Sequence, residues 1–472
     1  MRDGEKLDTL IRGGSVVYEG CMQAVDIGIK RGVIAVIAPR IVQPARETID
    51  AGGLFVMPGV VDAHVHLNEP GMGHWEGFAT GSAALAAGGC TTYFDMPLNG
   101  LPPTVTVAAM RAKLTAACAA GSRVDYALWG GLVPGNLDDL DALADEGVIG
   151  FKAFMSSPGD TGEGCFKEVD DVVLYEGMER IARRRKVLAV HAESEELVAA
   201  LSDKVRGRGG NTWRDYLETQ PIAAELDAVR RVLALAERTE CPLHIVHISS
   251  PQAVDMIWEA RMNGVDVTVE TCPHYLLFTD EELGRLGSLG KCAPPFRGEK
   301  EREGLWERLA EGKIDFVASD HSPCPPEMKD APDGDYFAVW GGIAGAQSTL
   351  QLLIDEGYWK RGIPLPVLSR ALSEAPAKRF GLLPRKGRIA VGADADLVLV
   401  RPDSPNALTP ERLLYRHQIS VYVGREFRSD IRMTMSRGRI VYTQESGIVG
   451  LASGEWLRAT PDLPKRTAIP PV

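Results

Sequence analysis

The chain has no CxxC pair. Its eight cysteines lie scattered at 21, 90, 118, 165, 241, 272, 292 and 324. That spacing argues against a zinc knuckle or a disulfide framework and fits a reduced, cytoplasmic protein. No apolar run of about 18 residues occurs, and the opening stretch MRDGEKLDTLIRGG is polar where a signal peptide needs apolar residues, so no membrane partner is expected. Clustered positive charge is also scarce: 52 Lys and Arg stand against 64 Asp and Glu, a formal charge of −12. The nearest thing to a basic run, Arg183-Arg184-Arg185-Lys186, falls between a helical pattern and an apolar strand, where it decorates a helix C-terminus. Nucleic acid, which is held by clustered Lys and Arg, is therefore not an expected partner. Internal repeats and low-complexity tracts are absent. What remains is 472 residues that are 45% apolar, with 50 Gly and 30 Pro, enough to bury a large core.

The two ends of the chain resemble each other more than the middle. Residues 1–57 carry short β-type runs punctuated by Gly and Pro, such as LDTLIRGGSVVYEG and AVDIGIKRGVIAVIA, and 388–472 resume that style with ADLVLVRPD and SDIRMTMSRGRIVYT. Both ends are expected to pair into one small β-sandwich domain. Between them, over 58–387, eight apolar runs alternate with helical patterns: MPGVVDAHVH, CTTYFDMP, VDYALWGGL, VIGFKAFM, VLAVHAE, LHIVHISS, VDVTVETCP and IDFVASDHSP. Alternation of this kind predicts βαβ units on a parallel sheet, and eight strands close an α/β (β/α)8 TIM barrel. The linking segments TVTVAAMRAKLTAACAAG, NLDDLDALADEG, AAELDAVRRVLALAERT and PQAVDMIWEARMNG carry apolar residues at three- and four-residue spacing, as packed helices do.

Barrels build their sites at the C-terminal ends of the strands. There the sequence places His64 and His66 after the first run, Lys152 in the fourth, His191 in the fifth, His247 in the sixth and Asp320 in the eighth, using four of only nine histidines. Two histidines two residues apart on an extended run face the same side and can grip one ion, although a hydrogen-bonded pair would read alike. Convergence with the other strand ends favours metal. Lys152 lies inside VIGFKAFM, where an unpaired ammonium costs several kcal/mol to bury. It is either a structural lysine paired with a carboxylate or, among metal ligands, a lysine carbamylated by CO2 into an anion that bridges two cations. Asp320 either caps the turn before Ser322-Pro323 or binds an ion while keeping an oxygen free for proton transfer.

These segments resemble the cyclic amidohydrolases of the amidohydrolase superfamily, and within them the bacterial allantoinase family. The resemblance is carried by DAHVHLNEPG from Asp62, HWEGFATG, FDMPLNGLPPTV, GFKAF, HISSP, TCPHYL, SDHSPCPPEMK and YRHQISVYVGR, and runs from about residue 6 to about 445. It implies a binuclear centre held by His64, His66, N6-carboxylated Lys152, His191, His247 and Asp320. It also implies substrate contacts from Asn99 and from backbone at Cys292, Ala293, Gly342 and Ile343, and assembly as a homotetramer. The cofactors implied are two divalent ions, zinc first, with manganese, cobalt or iron as other ions a site of this kind accepts, together with CO2 for the lysine.

Sister families differ at single positions. Dihydroorotase-like sequences carry Arg where Asn68 stands here, and hydantoinase-like ones carry Tyr where Ser157 stands. Many relatives have Ser at Ala293. The implied reaction is hydrolysis of the cyclic amide of allantoin to allantoate, in purine breakdown, by hydroxide bound to the metal pair, with Asp320 moving the proton. Allantoin is small, polar and uncharged, a match for Asn68 and Asn99. His74, His274, Arg297 and the loop from Pro323 to Lys329 either line the pocket or serve packing and turns. The alternatives are a hydantoinase or dihydropyrimidinase, a mononuclear deaminase that would not need Lys152, and an inactive scaffold relative.

Overall fold

The computed structural model describes residues 6–159, 162 and 164–458. All eight apolar runs form strands. We label them β1 (Val60–Val65), β2 (Cys90–Asp95), β3 (Asp125–Leu128 and Gly130–Gly131, on either side of Trp129), β4 (Phe151–Phe154), β5 (Leu188–His191), β6 (Leu243–Ile245), β7 (Val267–Thr271) and β8 (Phe316–Val317). Every neighbour pairs in parallel. The ring closes where Val65 bridges His321 and the His66 amide donates to the His321 carbonyl at 2.8 Å.

Alternation along these strands separates two environments. Leu188, Val190, Leu243, Ile245, Val267 and Val269 belong to the large cluster that also contains helical residues such as Val229, Val254 and Leu305. The residues between them, among them Ala189, His244, Thr268 and Glu270, belong to the other face. Aromatic rings fill part of the barrel: Phe380 meets Phe94 and Trp129 edge-on, each at 5.1 Å, and the Trp129 indole donates to the Ala63 carbonyl. The predicted helices are present at Val107–Ala120, Leu140–Glu146, Ile222–Thr239 and Pro251–Met262. Thr106 and Ser250 cap two of their N-termini, and Gly121 and Gly147 end two of them with left-handed backbone.

Both chain ends enter a β-rich layer of two sheets. One has the strand order 447–448, 439–443, 430–436, 397–401, 55–58, 15–18, 21–24, and the other 33–38, 26–30, 7–12, 45–50. Val398 pairs antiparallel with Met57, so the two termini share hydrogen bonds. Ile11, Ile27, Ile29 and Ile34 of the smaller sheet pack with Val16, Val56, Leu397 and Leu399 of the larger. Gly59 passes the chain from this layer into β1, and a Cβ there would stand 2.2 Å from Thr91 Oγ1, so no larger residue fits. Residues 1–5 and 459–472 of the expected sandwich lie outside the described residues. The segment before 459 behaves unlike the rest of that stretch: it runs beside β3, with Tyr126 N donating to the Glu455 carbonyl and Leu457 N to that of Tyr126.

Candidate metal centre

Strand ends bring the predicted ligands together. His64 Nε2 and His66 Nε2 stand 3.2 and 3.4 Å from Asp320 Oδ1, while His191 Nδ1 and His247 Nε2 face each other at 3.0 Å. The His64 and His247 ring centroids are 5.5 Å apart, so the two groups adjoin. Lys152 is fully buried, its Nζ without a hydrogen-bond partner, and His247 Nδ1 is likewise unpaired. His247 (φ 38°) and Asp320 (φ 45°) adopt left-handed backbone, costly for non-glycine residues and held by their surroundings.

The electrostatics follow from burial among these groups. Burial holds the Lys152 amine down at about 8, against Glu270 and Asp320, which pull it upward. Burial also pushes His66 and His247 below the usual histidine value, His247 strongly, with His191 and Lys152 adding to it. Asp320 goes the other way: burial would raise it, but His64, His66 and His247 hold it well below the carboxylate range. The set therefore offers two imidazoles, His66 and His247, with their basicity lowered, a carboxylate, and an amine with access to its neutral form. Two histidine nitrogens 3.0 Å apart, two further histidines around one carboxylate oxygen and an orphaned buried amine fit a cation-binding centre.

Three groups absent from the predicted set orient the ligands. Glu270 of β7 accepts from His64 Nδ1 at 2.5 Å with one oxygen and lies 3.0 Å from His244 Nε2 with the other. Burial opposes its charge, yet His64 and His244 hold it at about 2. Glu193 meets His191 Nε2 at 2.9 Å, and Phe154 stacks on the His191 ring at 4.8 Å. Carboxylates of this kind fix the ring angle and tautomer of a metal-bound histidine. The signal for Glu270 was present in VDVTVETCP, a carboxylate inside an apolar strand, the same oddity that singles out Lys152.

The cavity over these residues is lined by His64, His66, His191, His247, Asp320, Leu98, Asn99, Phe154, Ser157, Pro158, Cys292, Ala293, Ser322, Trp340, Gly341 and Gly342. Asn99 also lies 3.3 Å from His66 Nδ1. Two predicted contacts are not on this wall. Asn68 is buried with both amide atoms unpaired, has left-handed backbone (φ 65°) and is absent from the cavity lining. Ile343 uses its carbonyl to accept from Ser322 N, pairing with the seam rather than facing the cavity. Among the lid candidates, His74 is exposed and its carbonyl meets His417. His274 is buried with both nitrogens unpaired, pushed down to about 4 by that burial, and Arg297 ties Ser249 to the Gln220 carbonyl.

Comparison with known proteins agrees with this geometry. The model of the amidohydrolase family matches residues 55–441. An allantoinase of Rubrobacter xylanophilus is 50% identical over 452 residues, covering 96% of this chain and 97% of that protein. One from Solibacter usitatus is 49% identical over 451 residues, with the same shares. Among solved structures, the L-hydantoinase (dihydropyrimidinase) from Arthrobacter aurescens matches with a TM-score of 0.92 and 34% identity, covering 96% of this chain and all of that one.

Proposed function

The chain belongs to the amidohydrolase family, and from that membership we propose that it opens the cyclic amide of allantoin to give allantoate. It is a metal-dependent cyclic amide hydrolase. The observation that carries the choice of ring is the near-full-length match to allantoinases at 50% and 49% identity, against 34% for the hydantoinase structure. Ser157 supports it, since it lines the cavity at the position where hydantoinase-like sequences have Tyr.

In this reading His64, His66, His191, His247, Asp320 and a carbamylated Lys152 hold two divalent cations, zinc first. Bound there, such cations lower the pKa of water into the neutral range and polarise the scissile carbonyl. Asp320, kept ionised at neutral pH by the surrounding histidines, accepts the proton of the attacking water and returns it to the departing ring nitrogen. Asn99 and the peptide groups at Cys292, Ala293 and Gly342 suit the amide donors and acceptors of an uncharged ring. Phe154 and Trp340 flank the cavity and exclude water. The same reading places the protein in the cytoplasm as a homotetramer; eight scattered cysteines with no CxxC pair support the compartment.

The test is turnover of allantoin, hydantoin, dihydrouracil and dihydroorotate by protein loaded with defined metals in the presence of bicarbonate. Allantoin is expected to give the highest kcat/KM. No hydrolysis of allantoin would overturn the assignment, and a preference for hydantoin or dihydrouracil would install the hydantoinase reading in its place.

A further inference from the structure

Three buried lysines outside the ligand set, Lys186, Lys291 and Lys329, have no carboxylate within ion-pair distance among the described residues, and two of them, Lys291 and Lys329, lie behind the cavity wall. Lys291 donates from Nζ to the carbonyls of Phe337 (2.8 Å) and Val339 (2.6 Å). Lys329, in the SDHSPCPPEMK stretch, donates to those of Trp340 (2.9 Å), Gly342 (2.7 Å) and, at 3.3 Å, Ser288. Backbone bonds run in the opposite sense, from Gly342 N to the Lys291 carbonyl and from Trp340 N to that of Met328. The residues so tied form one wall of the cavity: Trp340, Gly341 and Gly342 line it, as do Cys292 and Ala293 just after Lys291.

No helix or strand ladder holds residues 339–342 in place. A single ammonium offers three N–H donors on a long stem, which lets it gather carbonyls from separate turns. The fit is close, because a Cβ on Gly342 would stand 2.5 Å from the Ser322 carbonyl, two residues past Asp320. We propose that Lys329 and Lys291 are positioning residues that set how far the Trp340–Gly342 wall stands from the metal centre, and so fix which ring the pocket accepts. The proposal rests on the cyclic-amide reading of this site but not on the identity of the ring.

Metal-loaded Lys329→Ala and Lys291→Ala are to be compared with wild type on whichever cyclic amide the wild type turns over best. KM is expected to rise about tenfold or more with kcat within about threefold and metal content unchanged, because the wall binds substrate while the strand ends do the chemistry. Propylamine, which replaces the missing stem and ammonium, is expected to lower KM again in Lys329→Ala but not in Lys329→Met. Unchanged KM in both folded variants, or a raised KM that tracks metal loss, would overturn the proposal.

Wild type provides a check that needs no variant. Burial holds both amines at about 8, and a neutral amine has only two N–H groups for the three carbonyls on Lys329. The titratable groups facing Lys329 are Cys292 and Cys324, with Glu327 on the same turn; Lys291 faces Lys329, Asp335, Tyr216 and Tyr336. Burial pushes those thiols and phenols upward, away from this range. KM is therefore expected to climb as pH passes about 8, and a flat KM through that range contradicts the proposal.

Discussion

In the proposed centre, loading turns on Lys152. Only a neutral amine adds CO2, and burial brings the Lys152 amine to about 8, so its neutral fraction grows as pH rises through that value. Metal-stripped protein given zinc at fixed dissolved CO2 should therefore regain activity faster at alkaline than at mildly acidic pH, by roughly tenfold or more from the neutral fraction alone. The check is the reactivation rate at the two pH values, with a mass gain of one CO2 on the peptide carrying Lys152. Equal rates would mean that no lysine modification limits recovery. Lys152→Ala should be inactive and partly restored by a short carboxylic acid, which supplies the missing anion.

Elements explain what could be read ahead of the fold and what could not. The parallel strands are covered on both faces, so they stand out in the sequence as nearly unbroken apolar runs, and all eight appeared as strands. A polar residue at the end of such a run is conspicuous, which is why His64, His191, His247 and Asp320 were visible as a set. Glu270 is harder to see because its partners lie on other strands: His64 is 206 residues away in sequence, on β1. Lys329 was legible only as the end of a candidate lid loop and Lys291 not at all, since their carbonyl partners lie in distant loops and short turns that have no periodicity to read. Asn68 shows the converse: its position in the motif suggested a contact, and it is buried with its amide unpaired but is not among the residues lining the cavity. Because Glu270 sets the His64 ring from β7 while holding His244 of β6, Glu270→Gln should weaken metal binding about 10- to 100-fold with the barrel still folded. Competition against a chelator, alongside near-UV circular dichroism, measures both halves of that expectation.

At the scale of the whole molecule, the barrel and the β-rich layer are tied by a buried ion cluster. Lys386 Nζ contacts Asp125 of β3 at 2.5 Å, Asp396 at 2.7 Å and Asp394 at 2.9 Å. Burial works against its charge, but the three carboxylates outweigh that and hold the ammonium above its ordinary value. These carboxylates lie close enough together to hold a cation, and Lys386 fills that place. Lys386→Met would leave them facing one another with Arg437 beside Asp125 and Arg385 beside Asp394, and should cost about 3–5 kcal/mol. Urea unfolding reads that loss, and kcat per folded molecule should stay at the wild-type value, since the cluster lies away from the cavity lining.

The seam of the barrel has a consequence of its own. His66 and His321 close the ring backbone to backbone, and the neighbours of that bond, His64 on one side and Asp320 on the other, are first and last of the predicted ligands in the chain. An ion held by both, as proposed, would cross-link the two ends of a (β/α)8 circle much as a clasp does a bracelet. Occupancy would then stabilise the closed ring by an amount that grows with the logarithm of free metal over its dissociation constant, and scavenging the ion would be expected to loosen the ring first at β1 and β8.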